Sequence, residues 1–252
     1  MRPLALVTGG WRRIGAAIAT ALAADGWDLA LHAHRVSAFD RDLIAQFERA
    51  GARTQGFAGN LAESHYPESL VGDVTAAFGR PPTLLVNSAS TFRDDRLATL
   101  TADSLDLHMR TNLYAPLLLT KAFAAALGEE QGLVVMLLDQ RVRNPVPDQL
   151  AYSLSKQALH ASTRNLARDL APRIRVNGVA PGLVLPTEDY DESQWQRLAA
   201  LMPLERLAEP SEIAAAVVYL AHAKAVTGQT IFVDSGANLE AYPRDFVYMG
   251  RK

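Results

Sequence analysis

Short apolar runs bounded by glycine or charge recur along the chain, and each is followed by a longer stretch of helical periodicity. Leu4-Ala-Leu-Val-Thr8 is one such run, ended by Gly9-Gly10, and Ile14 to Ala24 follows as an alanine-rich helix stopped by Gly26. Asp28 to Ala33 reads as a second strand. Asp40 to Ala50 then sets Leu43, Ile44 and Phe47 on one helical face, with Gly51 as its cap. Further strands are predicted at Thr54 to Ala58, Thr83 to Val86, Leu133 to Leu138, Ile174 to Val179 and Gln229 to Val233, with helical patterns between them. This alternation predicts an α/β fold with a parallel sheet of about seven strands and helices on both faces, because each crossover helix must pack back onto the sheet. Such doubly wound sheets bind ligands beyond the carboxyl ends of their strands.

Composition narrows the classes. With 252 residues, 49% of them apolar, the chain can bury one sizeable core, so one domain over 1–252 is expected, with 239–252 as a C-terminal tail. A formal net charge of −2 gives no global reason to expect nucleic acid or an anionic membrane as partner. The absence of cysteine excludes a disulfide scaffold, a thiolate metal site and a cysteine nucleophile. The Leu4–Val7 run is too short for a signal peptide, and Leu133–Leu138 is far short of the roughly 20 apolar residues of a membrane helix. His32, His34 and His65 lack metal-ligand spacing. A cytoplasmic protein without a metal is the expectation.

The first strand runs into Thr8-Gly-Gly-Trp-Arg-Arg-Ile-Gly15, a glycine turn opening a helix. Gly9, Gly10 and Gly15 allow a tight turn and close backbone approach to a pyrophosphate, and the helix N-terminus adds partial positive charge. Arg12 and Arg13 repel that helix end, at about 0.3–1 kcal/mol each when exposed, unless an anion lies between them. The second strand ends in His32-Ala-His34-Arg35-Val-Ser37, with no carboxylate to meet a free ribose 2′-hydroxyl. Arg35 can instead pair bidentately with a 2′-phosphate, and Ser37 can add a hydroxyl, so NADPH is predicted over NADH.

Tyr152 and Lys156 stand four apart at the start of a helical pattern, hence on one face. An ammonium beside a tyrosine stabilises the phenolate and brings the group toward proton transfer near neutral pH. Together with the loop, this pair makes the chain resemble the short-chain dehydrogenases/reductases over nearly its full length. The resemblance implies a Rossmann-type fold, and it places Asn112, Tyr152 and Lys156 at catalytic positions. It also puts Asn60 and Leu61 beside the adenine, and Ser88, Ala89 and Ser90 where that family has N-A-G. Ile14 lies in the phosphate loop, and backbone groups of Gly182 and Val184 would hold the carboxamide. Pro186 replaces a common threonine, Arg13 replaces the loop's middle glycine, and the family's catalytic serine, thirteen residues before the tyrosine, is Asp139 here.

Three of these departures resemble the pteridine reductases: Arg13, Asp139, and the His34-Arg35 pair. Asn87-Ser-Ala-Ser90-Thr-Phe92 adds a fourth, since the resemblance implies that Ser90 and Phe92 contact a pterin. A flat pterin would stack on Phe92, with Arg13 and Ser90 on its polar edge. Asp139 would relay a proton through Tyr152, its pKa raised by burial, while Lys156 held the ribose and Asn112 positioned a water. Two other readings stay open: a carbonyl reductase of another small molecule, and a non-enzymatic NADP(H) sensor. Phe92 has the alternative of core packing, and Asp139 that of pairing with Arg141 or Arg143. The segment Pro181 to Glu192 is expected to form a lid. Ile213 to Ala221 resembles the surface through which family members associate, implying a homotetramer, and the aromatic tail is expected to dock on a neighbouring subunit.

Overall fold

A computed structural model describes residues 2–186 and 190–250. Seven strands form one parallel sheet: β1 (Leu4–Thr8), β2 (Asp28–Ala33), β3 (Thr54–Ala58), β4 (Leu84–Asn87), β5 (Gly132–Leu137), β6 (Ile174–Pro181) and β7 (Thr230–Val233). Their spatial order is β3-β2-β1-β4-β5-β6-β7, so the chain changes direction across the sheet between β1 and β4. The predicted strands are all present, β1 to β3 with the predicted ends and β4 to β7 with ends shifted by one or two residues.

Both faces of this sheet are covered, which explains why its strands read as continuous apolar runs rather than alternating ones. Ala5 and Val7 of β1 face one cluster with Leu29, Leu31, Leu84 and Val86. Leu4 and Leu6 face the other, with Ala30 and Leu85. Helices α1 (Arg13–Ala24) and α8 (Pro210–His222) cover the first face. The second is covered by α3 (Tyr66–Phe78), α5 (Ala115–Leu127) and α6 (Leu150–Asp169). Helix α2 (Arg41–Arg49) starts where Asp40 accepts hydrogen bonds from the amides of Asp42 and Leu43, and Gly51 leaves it at φ +75°. Between α4 (Ala102–Met109) and α5 lies a π-helical turn, Arg110–Tyr114. Among the described residues no helix is long and apolar enough to cross a membrane.

The tail docks on its own chain. The buried carboxylate of Asp148 accepts from Arg244 Nε at 2.7 Å and from the Asp245 amide at 2.9 Å. Gln194, on α7 (Glu192–Leu201), donates through Nε2 to the carbonyls of Phe246, Val247 and Met249. Phe246 then joins Leu198, Met202 and Ala237 in a small third core. Buried acceptors and donors within reach of the tail's own backbone decide this, and aromatic composition alone could not. The expected lid includes residues 187–189, which lie outside the described residues.

Candidate active site

The loop after β1 turns at Gly9, with φ +65°, and a Cβ on Gly15 would overlap the Gly9 carbonyl oxygen, so the helix can start this close only with glycine there. Trp11 points inward. It is 4% exposed, donates through Nε1 to the Leu31 carbonyl at 3.0 Å, and stacks on Phe39 with ring centroids 4.6 Å apart. This bulky side chain in the phosphate loop therefore ties the loop to β2. Arg12 and Arg13 remain exposed at the start of α1, which has no acid in its first turn. Arg13 adopts φ +53°, the left-handed conformation that glycine takes without strain and other residues take at a cost of about 1 kcal/mol.

At the switch point, Thr8 Oγ1 accepts from the amides of Ser88 and Ala89, each at 3.0 Å, locking the end of β1 to the loop after β4. Beyond it opens a cavity of about 880 Å³ lined by Gly9, Arg12, Arg13, Ile14, His34, Arg35, Ser37, Asn60, Leu61, Ser88, Ala89 and Ser90, together with Arg93. Among the described residues, four arginines and no carboxylate line this space, which fits a ligand carrying several phosphates. His32 adds no charge. Burial lowers its pKa to about 4, outweighing the Gly59 carbonyl that its Nε2 meets at 3.0 Å, with His34 lowering it further.

A second cavity, of about 530 Å³, continues from Arg12, Arg13, Ser88 and Ser90. Phe92, Asp139, Tyr152, Lys156, Gly182 and Val184 line it, so the structure assembles nearly every residue that the sequence placed in the site. Phe92 is half-exposed at this wall rather than in the core, and its ring meets Tyr152 edge-on at 4.8 Å. Tyr152 Oη donates to Asp139 Oδ2 at 2.9 Å. Arg141 holds the same carboxylate through Nε at 3.1 Å, Nη2 at 3.2 Å and its backbone amide at 2.8 Å.

This arrangement reverses two expected pKa directions. Burial pushes the Asp139 carboxyl up, but the charge and hydrogen bonds of Arg141 and the Tyr152 hydroxyl together hold it below the usual carboxylate range. Tyr152 lies well above an ordinary tyrosine, because burial and the Asp139 charge disfavour the phenolate more than Arg141 favours it. Lys156 is too far to dominate. Its Nζ lies 5.7 Å from the tyrosine ring centroid, donates to the Leu137 carbonyl at 2.7 Å, and is pushed down to about 8 by burial, against the pull of Asp139.

Asn112 spends its side-chain amide within the fold. Its Nδ2 donates to the Thr91 carbonyl at 2.9 Å and Ser155 Oγ at 3.0 Å, and its Oδ1 accepts from the Thr91 amide at 2.8 Å and Ser90 Oγ at 3.2 Å. Fully buried and fully bonded, the side-chain amide braces the Ser90–Thr91 loop against α6. Sequence reasoning assigned no site role to Arg141, Gln149 or Asp245. Arg141 was in view only as a competitor for Asp139, and Asp245 lies 104 residues further along the chain, beyond the reach of any local pattern.

A nucleotide-binding cradle at the switch point, leading into a buried tyrosine–carboxylate pair with a lysine one helical turn away, defines an oxidoreductase of the doubly wound class. Residues 10–238 match the family model described as enoyl-(acyl carrier protein) reductase. The structure of FolM alternative dihydrofolate reductase 1 from Brucella canis, solved with NADP, is similar with a TM-score of 0.87 and 36% identity, covering 96% of this chain and 97% of that one. Pteridine reductase 1 of Leishmania tarentolae is 31% identical over 94% of this chain and 96% of its own. A 3-oxoacyl-[acyl-carrier-protein] reductase of Staphylococcus aureus is 30% identical over 94% and 98%. The chain belongs to the short-chain dehydrogenase/reductase family.

Proposed function

We propose that this chain is an NADPH-dependent reductase of a pterin or dihydropterin, extending to dihydrofolate. The observation that carries the reading is the half-exposed Phe92 standing edge-on to Tyr152, whose hydroxyl is bonded to Asp139, on the wall of the second cavity. An aromatic face at that wall suits a flat heteroaromatic substrate, with stacking contributing about 0.5–1.5 kcal/mol beyond area burial. Arg13 and Ser90 line both cavities and would meet its polar edge. The FolM and pteridine reductase relatives support the same substrate class.

A bound NADPH would supply a hydride to the carbon of a C=N bond. Arg12 and Arg13 would hold its phosphates, Arg35 and Ser37 the 2′-phosphate, and Lys156 the ribose beside the reacting ring. As the C=N bond takes the hydride, its electron pair moves onto nitrogen, and Tyr152 Oη gives that nitrogen its proton. Asp139, kept ionised by Arg141, holds the Tyr152 oxygen in place and does not itself carry the proton; the hydroxyl turns its single hydrogen from Oδ2 to the substrate nitrogen when it donates. The phenolate left beside that carboxylate is disfavoured and regains a proton readily.

The Staphylococcus relative favours a second reading, a keto reductase using the same Tyr152 and Lys156. Following NADPH consumption with dihydropterins beside a panel of ketones and 3-oxoacyl thioesters separates the two. The pterin reading expects turnover of the dihydropterin, cut sharply by Asp139→Ala and by Phe92→Ala. It fails if only the carbonyl compounds react, or if both variants reduce the dihydropterin at the wild-type rate. A cytoplasmic homotetramer associating through α8 and β7 completes the proposal. Tyr219 on α8, 56% exposed, lies on that apolar segment, and sedimentation would test the assembly.

A further inference from the structure

Arg141 is 7% exposed and touches two carboxylates, that of Asp139 two residues before it and that of Asp245 in the C-terminal tail. Its Nε and Nη2 hold Asp139, and its Nη1 donates to Asp245 Oδ2 at 2.9 Å. The same Nη1 donates to Gln149 Oε1 at 3.0 Å, so the arginine's inward-facing donors are spoken for. Gln149 is itself held in the left-handed region, at φ 48°, with its amide nitrogen Nε2 bonded to Asp94. A non-glycine residue strained in this way persists only where its surroundings over-determine it. Asp245 is equally constrained: Oδ1 accepts from the Val247 amide, and its backbone amide donates to Asp148. It also lines the second cavity, as do Phe246 and Val247.

From this geometry we infer that Asp245 is a positioning residue for the proton donor, acting through Arg141 and Asp139 on the Tyr152 hydroxyl. The physical reason is charge balance about a buried cation. Arg141 with Asp139 alone would neutralise that carboxylate as an ion pair and could swing with it. A second carboxylate on Nη1 pins the far end of the guanidinium plane, so that Nε and Nη2 present a fixed edge to Asp139. Asp139 then keeps Oδ2 pointed at Tyr152 and remains an acceptor. The tail thereby enters the site as part of the acid's scaffold, and folding of the last dozen residues becomes a condition for an aimed hydroxyl. Burial raises the Asp245 pKa against the pull of Arg141, and the charges of Asp139 and Asp148 raise it further, so this carboxylate is costly to keep ionised without the arginine.

The inference rests on the reading of Tyr152 as proton donor, and three variants keep the two apart. Asp245→Asn removes the charge with the shape kept; Arg141→Lys keeps the charge but cannot bridge two carboxylates; Tyr152→Phe removes the donor. Steady-state kinetics with NADPH and the best dihydropterin or ketone substrate give kcat and KM for each, together with the Asp245→Asn/Arg141→Lys double variant. For Asp245→Asn we expect kcat to fall roughly tenfold with KM little changed, a part of the 10²–10⁴ that positioned acids contribute. The double variant is expected to be no slower than Arg141→Lys alone, because both changes break one chain of contacts. Abolished turnover in Tyr152→Phe alongside an Asp245→Asn kcat within about threefold of wild type overturns the inference. So does a loss confined to KM, or losses that multiply in the double variant. Should Asp245→Asn fail to fold, Arg141→Lys carries the test, and a wild-type kcat there overturns the inference as well. Wild-type turnover by Tyr152→Phe overturns instead the reading on which it stands.

Discussion

Tyr152 Oη donates to Asp139 Oδ2 across 2.9 Å, while Arg141 grips the same carboxylate by a side-chain fork and its own amide. The carboxylate is therefore an acceptor with a fixed direction. A tyrosine held by such a group stays protonated until a substrate draws the proton off.

Replacing Tyr152 with Phe removes the donor and keeps the ring that packs on Phe92. Turnover should fall by about 10²–10⁴-fold, the usual contribution of a positioned acid. NADPH affinity, measured by fluorescence titration, should not change. A variant that turns over normally would mean that another group supplies the proton.

Asp139→Ala strips Arg141 of its fork partner and leaves the Tyr152 hydroxyl unbonded in a buried site. Removing one member of a buried pair costs about 3–5 kcal/mol, and Asp245 should offset part of that here. Urea unfolding is expected to show a loss of about 2–3 kcal/mol. No loss at all would mean that the pair is worth no more than its desolvation.

His32 sets an acid sensitivity. Its pKa is about 4 in the folded chain against an ordinary 6.5, so below pH 6.5 the unfolded chain binds the extra proton first. Stability should be level above pH 6.5, fall by about 3 kcal/mol between 6.5 and 4, and level off again as far as this group is concerned. Asp139, with its depressed pKa, adds a further loss as pH falls through the ordinary carboxylate range toward its own lower value. Thermal melts of His32→Gln should lose most of the slope between pH 6.5 and 4, and an unchanged slope would assign it to other groups.

Arg13→Gly tests strain against function. Glycine accepts φ +53° freely, so the variant should gain up to about 1 kcal/mol of stability. Losing the cation from both cavities should raise KM for NADPH, for the pterin, or for both. A destabilised variant with unaltered kinetics would contradict both halves.

Arg35→Ala should reduce the preference for NADPH over NADH by roughly tenfold or more, the worth of a hydrogen bond to a charged group. KM for both cofactors decides it, and an unchanged ratio would remove Arg35 from the 2′-phosphate site.

The strands, their order in the chain and the glycine loop could be read from local pattern because a sheet buried on both faces imposes continuous apolar runs, and a phosphate turn needs glycine wherever a Cβ would strike backbone. Tyr152 and Lys156 were legible for a similar reason: helical spacing alone puts them on one face. Asp139 stood out only through the family resemblance, at the position where that family has its serine. Trp11 was not legible, since only the distance to Leu31 and Phe39 shows that a large ring in the loop faces the core.

What the sequence by itself determined, then, is the doubly wound frame, the glycine loop and the Tyr152–Lys156 pair, because those follow from periodicity and steric demand within a few turns of chain, while the family resemblance supplied the other residues at the switch point. Tertiary structure decided the charge states and the direction of each polar group. Arg141 reverses the expected pKa of Asp139, Asp139 reverses that of Tyr152, and the amide of Asn112 is consumed in bracing a loop. It also decided where the tail goes, bringing Asp245 to Arg141 across 104 positions. Burial and Coulomb terms depend on distances that only folding sets, and side chains so far apart in sequence carry no local signal of their meeting.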